Sequence, residues 1–449
     1  MKKVLLVVMA FLCVATAFSQ EEKKDKKFGI SFSGFVKNDF FLDTRQTVTA
    51  REGHFLLWPA APSLDEMGND INARSSLNML AIQSRLSGKI TGPDAFGAKT
   101  SGVIEGDFFA QANDNINLLR MRHAFVKLAW ENTELLTGQT WNPMFVTGCF
   151  PGTVSFNTGT PIQSFARNPQ IRLTQRFGNL KVMVAMLAQR DFTSRGAAGV
   201  TSDYLRNSAI PDLHFQLQYS KNNADAGTGF FAAAGVAYKT IVPRLSSVMT
   251  ISPETTEVVI NMADSSATIV TTPAVKKSYK VDETVSGLSF YICNNIKLKP
   301  LTIKWQYRYG ENIPDVLSVS GFAVKDVINE VTGELSYTPL VNSTVWADIH
   351  TNGKKFQAGV FAGMLMNMGT KEAMSDVTNS VYGLGTNIKT LVRVSPRVIF
   401  NSGKFRAAME LEYTAASYGD SGTYDVNYVP ATTTDVSNIR VLLSTYYFF

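Results

Sequence analysis

Histidine, cysteine and charge are all scarce in this chain: 449 residues carry four His, three Cys and only 18% Asp, Glu, Lys and Arg. Cys13 falls in an N-terminal leader, and Cys149 and Cys293 lie too far apart in sequence to read as a disulfide scaffold or a metal site. The net charge of +6, part of it from Lys2 and Lys3 in the leader, is too mild and too interleaved to suggest nucleic-acid binding. After Gln20 no run of about 18 uninterrupted apolar residues occurs, so no spanning helix is expected in the mature chain.

What is present begins with export. Lys2 and Lys3 precede the apolar run Val4 to Val14, and small residues follow, so residues 1–19 read as a secretory signal peptide cut near Ser19/Gln20. That run is too short to span a bilayer. Leu12 before Cys13 argues against a lipoprotein anchor. Residues 20–27 are a short charged segment, expected as a solvated periplasmic tail. The composition of the remainder, with 11% aromatics and 32 Gly, averages to a mean hydropathy of -0.01. A wall greasy on one face and wet on the other gives such an average. An exported protein that enters a membrane without helices has one option, a closed barrel.

From Phe28 the residues alternate. Phe28, Ile30, Phe32, Val36, Phe40 and Leu42 interleave with Ser31, Ser33, Lys37, Asp39 and Asp43. Sixteen such segments follow one another from 28–43 to 435–449, joined by connections that are short and long by turns. The largest long ones are 44–75, 142–169 and 240–283. The pattern predicts an all-β fold over 28–449: a transmembrane antiparallel barrel of about 16 strands, with short periplasmic turns and long extracellular loops. Tight turns then fix partners. A turn at Gly178-Asn179 pairs Leu173 with Val184, one at Asn352-Gly353 pairs Ile349 with Phe356, and one at Asn401-Ser402 pairs Val398 with Phe405. Arg120 and Arg122 share parity with Ala124, Val126 and Leu128, which calls for a bulge near His123 or a buried subunit contact.

The final stretch, NIRVLLSTYYFF (438–449), is a strand ending on Tyr447 and Phe449. It resembles the C-terminal strand of bacterial outer-membrane barrels, which closes the barrel against the first strand and serves as the insertion signal read by the barrel-assembly machinery. GFVKNDFFLDT (34–44), TGPDAFGAKTSGVIEGDFF (91–109), RMRHAFVKL (120–128), LLTGQTWNPMF (135–145), NPQIRLTQ (168–175), YGENI (309–313) and SPRVIFNSGKFRAAMELEYTAASYG (395–419) resemble the DcaP-like porins. That resemblance implies a homotrimeric diffusion channel in the Gram-negative outer membrane, seated in lipid and lipopolysaccharide and favouring small anionic solutes such as dicarboxylates. Some members carry a coiled-coil segment before the barrel; here only EEKKDKK stands there.

With the polar parity taken as inward, lumen cations outnumber anions by roughly two to one, a bias that favours anions in a narrow wet tube. Arg85, Arg172, Arg176, Arg308, Arg393, Arg397 and Arg406, with Glu105 and Glu410, are the candidate selectivity residues. The turn registers pair Arg393 with Glu410 and set Arg397 against Arg406 and Arg176 against Lys181. The loop 142–169, with Arg167 near its end, is expected to fold into the lumen, where Gln139 and Trp141 at its entry and Gln170 and Arg172 at its exit line the constriction. No cofactor is expected. Two other classes stand beside the channel. A barrel hydrolase would use Asp212/His214 or Asp348/His350 but lacks an evident nucleophile, and a closed barrel acting as a surface adhesin would present the Val/Thr-rich segment 240–283.

Overall fold

Alternation of apolar and polar residues does build strands, and the strands close on themselves. The computed structural model describes residues 28–110, 113–261 and 266–449; the proposed leader and charged segment lie outside them. The wall begins with β1 (Gly29–Asp43), β2 (Ser76–Leu80 continued by Arg85–Thr91), β3 (Lys99–Asp107), β4 (Arg120–Ala129), β5 (Thr133–Trp141) and β6 (Arg167–Phe177). It continues with β7 (Leu180–Leu187), β8 (Asp212–Asn223), β9 (Thr228–Ile241), β10 (Val285–Lys297) and β11 (Leu301–Glu311). The last five are β12 (Glu334–Thr351), β13 (Phe356–Thr370), β14 (Ile388–Ser402), β15 (Phe405–Gly419) and β16 (Thr433–Phe448). Each pairs antiparallel with the next, and β1 pairs with β16, so the barrel has no open edge. Phe449 completes the seam by exchanging two backbone hydrogen bonds with Gly34, both 3.2 Å.

The two faces separate as a membrane wall requires. On β8, Leu213, Phe215, Leu217 and Tyr219 are exposed outward, while Asp212, His214 and Gln216 are buried inward. The exposed apolar side chains form a lipid-facing surface, and the ladders run unbroken around the barrel from strand to strand.

Turn chemistry sets the partners. The Gly178-Asn179 hairpin has the expected register, Leu173 opposite Val184 and Arg176 opposite Lys181. The other two expected registers are wrong. Ile349 pairs with Val360 and Val398 with Met409, not with Phe356 and Phe405. In the second hairpin the tight turn is Gly403-Lys404, where Gly403 supplies the positive φ of 57° that such a turn needs. Both slips are even, so every side chain keeps its face and only its partner changes. Arg397 therefore sits opposite Glu410, Arg393 opposite Thr414, and Arg406 opposite Asn401.

A bulge resolves the parity conflict on β4. Glu105 pairs with His123 and Gly106 with Met121, leaving Arg122 as the extra residue. Arg120, Arg122 and His123 all turn inward and are buried, while Met121 and Val126 face out.

The long connections do two different things. Segment 240–283 rises beyond the barrel as an arm of paired strands, Ser246–Ser252 with Val275–Lys280 and Thr255–Asn261 with Ser266–Thr272. Segments 44–75 and 142–166 turn into the barrel instead. Phe55, Leu57 and Trp58 of the first and Met144, Phe145, Phe156 and Phe165 of the second form one apolar cluster with Trp346, Phe361 and Leu391 of the wall. The interior is thus partly dry and packed, where alternation alone suggested an evenly polar lumen.

Candidate functional site

The inward loop 142–166 is held by the charges of the inner wall. The Glu410 carboxylate accepts from the backbone N–H of Val154 (2.6 Å) and Ser155 (3.2 Å), and Asp348 accepts from Gly152 N–H (3.3 Å). Asn157 donates to Glu412 (3.0 Å), and Arg393 donates to the carbonyls of Thr160 (2.5 Å) and Leu57 (2.6 Å). Arg308 donates to the hydroxyls of Ser164 and Ser318, and Trp346 donates to Gln163 (2.8 Å). Arg397 forms a two-pronged pair with Asp348, at 2.7 and 3.0 Å. Glu410, Arg308, Arg393 and Arg397 are therefore buried anchors under the loop, 5% exposed or less. Deep charges with fixed partners hold a segment in place; they do not meet a passing solute.

Between this loop and the short-turn rim lies a cavity of about 440 Å³. Arg85, Arg122 and Arg406 are the guanidiniums on its lining, and Glu105 is its one carboxylate. Arg122 bonds both Glu105 (2.8 Å) and Asp107 (2.9 Å). Arg85 reaches Glu105 only at 3.6 Å. Arg406 donates to the Asn401 side chain (2.8 Å), lies against the rings of Tyr446 and Phe448, and has no carboxylate partner among the described residues. Lys304, bonded to the carbonyl of Phe150 (3.0 Å), stands at the edge of the same space. Six aromatic rings also line it, Trp141, Phe145, Phe150, Phe156, Phe165 and Tyr446, together with polar groups that include Gln83, His123, Thr147 and Ser155.

Trp141 stacks on Phe145 with centroids 3.9 Å apart and carries Arg167 on its other side, 4.9 Å from the ring. Arg167 itself is buried and paired with Asp191 at 2.7 Å. In the loop after β7, burial raises the Asp191 carboxyl, but Arg167 and Arg120 outweigh it and hold it below the ordinary carboxylate range. Gln139 lies behind the wall and donates to the carbonyl of Arg122 at 3.2 Å, satisfying the bulge. Arg172 donates to the carbonyl of Trp141 (2.7 Å) and to Gln170 (2.9 Å). Arg176 is exposed at the rim. Of the candidate selectivity residues, then, Arg85, Glu105, Trp141 and Arg406 come together on the cavity, and the others do not.

The sequence marks Arg122 and His123 only through the parity break and not as cavity residues, and it does not mark the four loop phenylalanines as such. The signals existed. Apolar residues at 145, 150, 156 and 165 in a Gly/Thr/Pro-rich connection need a buried home, as does the continuous run FLLWP at 55–59.

A closed sixteen-stranded barrel with this lipid-facing exterior and an inward loop defines the class: an outer-membrane protein of a Gram-negative bacterium with the porin fold. Among solved structures the chain is similar to the outer-membrane channel DcaP of Acinetobacter baumannii, at 16% identity and TM-score 0.64, covering 96% of this chain and 100% of that one. It is also similar to an anion-selective porin from Comamonas acidovorans (11%, TM-score 0.51, 94% and 100%) and to OmpT of Vibrio cholerae in its trimer form (9%, TM-score 0.51, 94% and 100%). No protein-family model and no curated protein matches the sequence.

Proposed function

We propose that the protein is a porin through which small hydrophilic solutes diffuse passively, with a preference for anions of the carboxylate or phosphate type. The observation that carries this reading is the cavity lining: Arg122 is buried and paired with Glu105 and Asp107, Arg85 reaches Glu105 only at 3.6 Å, and Arg406 has no carboxylate partner among the described residues, which leaves a positive excess facing the space. In a confined aqueous space with low-dielectric walls, such an excess concentrates anions and repels cations. Guanidinium forks suit planar carboxylates and phosphates. A neighbour of the same fold is described as anion-selective, and another has been obtained as a trimer, in keeping with a homotrimer here.

The reading is non-enzymatic. Asp348, the acid beside His350, is committed to Arg397, and the acid beside His54 is Asp39, which also holds Lys37. His214 lies 3.1 Å from Asp212 with neither ring nitrogen in a hydrogen bond. Diffusion through the barrel needs no cofactor and no energy source.

Swelling of vesicles loaded with the protein tests this directly. Small dicarboxylates should enter at least several-fold faster than diamines of equal size. Equal rates for the two, or no swelling with either, would refute the proposal.

A further inference from the structure

We infer that Cys149 and Cys293 join as a disulfide in the assembled protein and fasten the inward loop to the barrel wall. Distant in sequence, the two side chains meet in space. Cys293 points inward from β10, between Tyr291 and Asn295, and is fully buried. Cys149 comes from the loop into the same buried cluster, also fully buried, and the two are separate thiols in this structure. Cys149 Sγ further donates to the carbonyls of Asn294 (3.0 Å) and Trp305 (3.5 Å), which are register partners on β10 and β11.

The backbone is pressed against the wall at this same point. Asn295 donates to the carbonyl of Gly148 at 2.9 Å. A Cβ on Gly148 would fall 2.6 Å from the Phe231 ring, so only glycine lets the loop lie this close. Two fully buried cysteines gathered into one cluster by a segment with so little room to move are placed for a disulfide to form.

The compartment supplies the chemistry. Exported proteins mature where thiols are oxidised, unlike cytosolic ones. A periplasmic protein disulfide accepts two electrons from the thiol pair through a mixed disulfide. It becomes two thiols, two protons leave the cysteines, and the Sγ–Sγ bond forms while the loop is still open to the oxidant. The inference rests on the outer-membrane location and not on conduction. Its consequence is a loop tied covalently at 149, in addition to the polar anchors at 152–164.

The test uses full-length protein extracted from outer membranes, denatured and treated with iodoacetamide. The expected result is no alkylation of Cys149 or Cys293 without reductant, a linked peptide pair lighter by two hydrogen atoms than the separate thiol peptides, and alkylation of both after reduction. Alkylation of both in denaturant alone would overturn the inference. A second readout is the temperature at which the folded barrel is lost. Cys149→Ser and Cys293→Ser should each lower it, and the double variant should lower it no further. Additive losses would overturn the staple, and if a variant fails to assemble, the wild-type alkylation pattern decides.

Discussion

Arg85→Glu combined with Arg406→Glu is expected to abolish the preference for anions and to leave the barrel assembled. Both residues line the cavity, and neither anchors the inward loop. Each substitution changes the local charge by two units. At roughly 8 Å and an effective dielectric near 40, one unit charge acts on a solute with about 1 kcal/mol, before salt screening. The pair of substitutions therefore shifts the balance by a few kcal/mol, enough for a tenfold or larger fall in the anion-to-cation permeability ratio. Because screening weakens these terms, the fall should be larger at about 0.1 M salt than at about 1 M. Planar-bilayer recordings of the variant and the wild type measure it. An unchanged ratio would place the filter elsewhere in the molecule.

Arg397→Ala produces the other large effect, and it is of a different kind. The guanidinium is 5% exposed and forms a two-pronged pair with Asp348, which in turn accepts from Gly152 N–H of the loop. Removing one partner leaves a buried carboxylate with His350 as its remaining side-chain hydrogen-bond partner and Lys304 across the ladder. Such a loss costs about 3–5 kcal/mol. Urea unfolding of the reconstituted protein should show a loss of that size. Arg397→Met with Asp348→Leu, which removes both charges, should recover most of it. A single variant as stable as the wild type would show that the pair does not hold the loop.

The contrast between Arg406 and Arg397 shows how much of the molecule can be read from its sequence. The barrel is legible because period-two alternation survives any local irregularity and the short turns are marked by Gly, Asn or, at Leu298–Pro300, Pro. All sixteen strands lie where alternation puts them. Even the bulge on β4 is announced, because Arg120 and Arg122 fall on the wrong parity for a straight strand. Partners are less secure. One positive-φ glycine, Gly403, moves the β14–β15 turn along by two residues, and Arg397 exchanges Arg406 for Glu410 as its register partner. Least legible is which inward charges meet water. Parity places Arg308, Arg393, Arg397 and Arg406 on one face, yet three of them lie under the 142–166 loop and only Arg406 reaches the cavity. That distinction depends on where a loop packs, which neither periodicity nor spacing encodes. The two cysteines show the same limit, since the segment 142–166 carries Cys149 into the buried cluster that holds Cys293.

The central claim, an open lumen whose accessible charge is positive, is tested most directly by the zero-current potential of the wild-type protein in a planar bilayer under an about tenfold gradient of potassium chloride. Stepwise open-channel currents and a potential displaced toward the chloride equilibrium value are expected. A potential displaced toward the potassium value, or a barrel that inserts and passes no current, would contradict it.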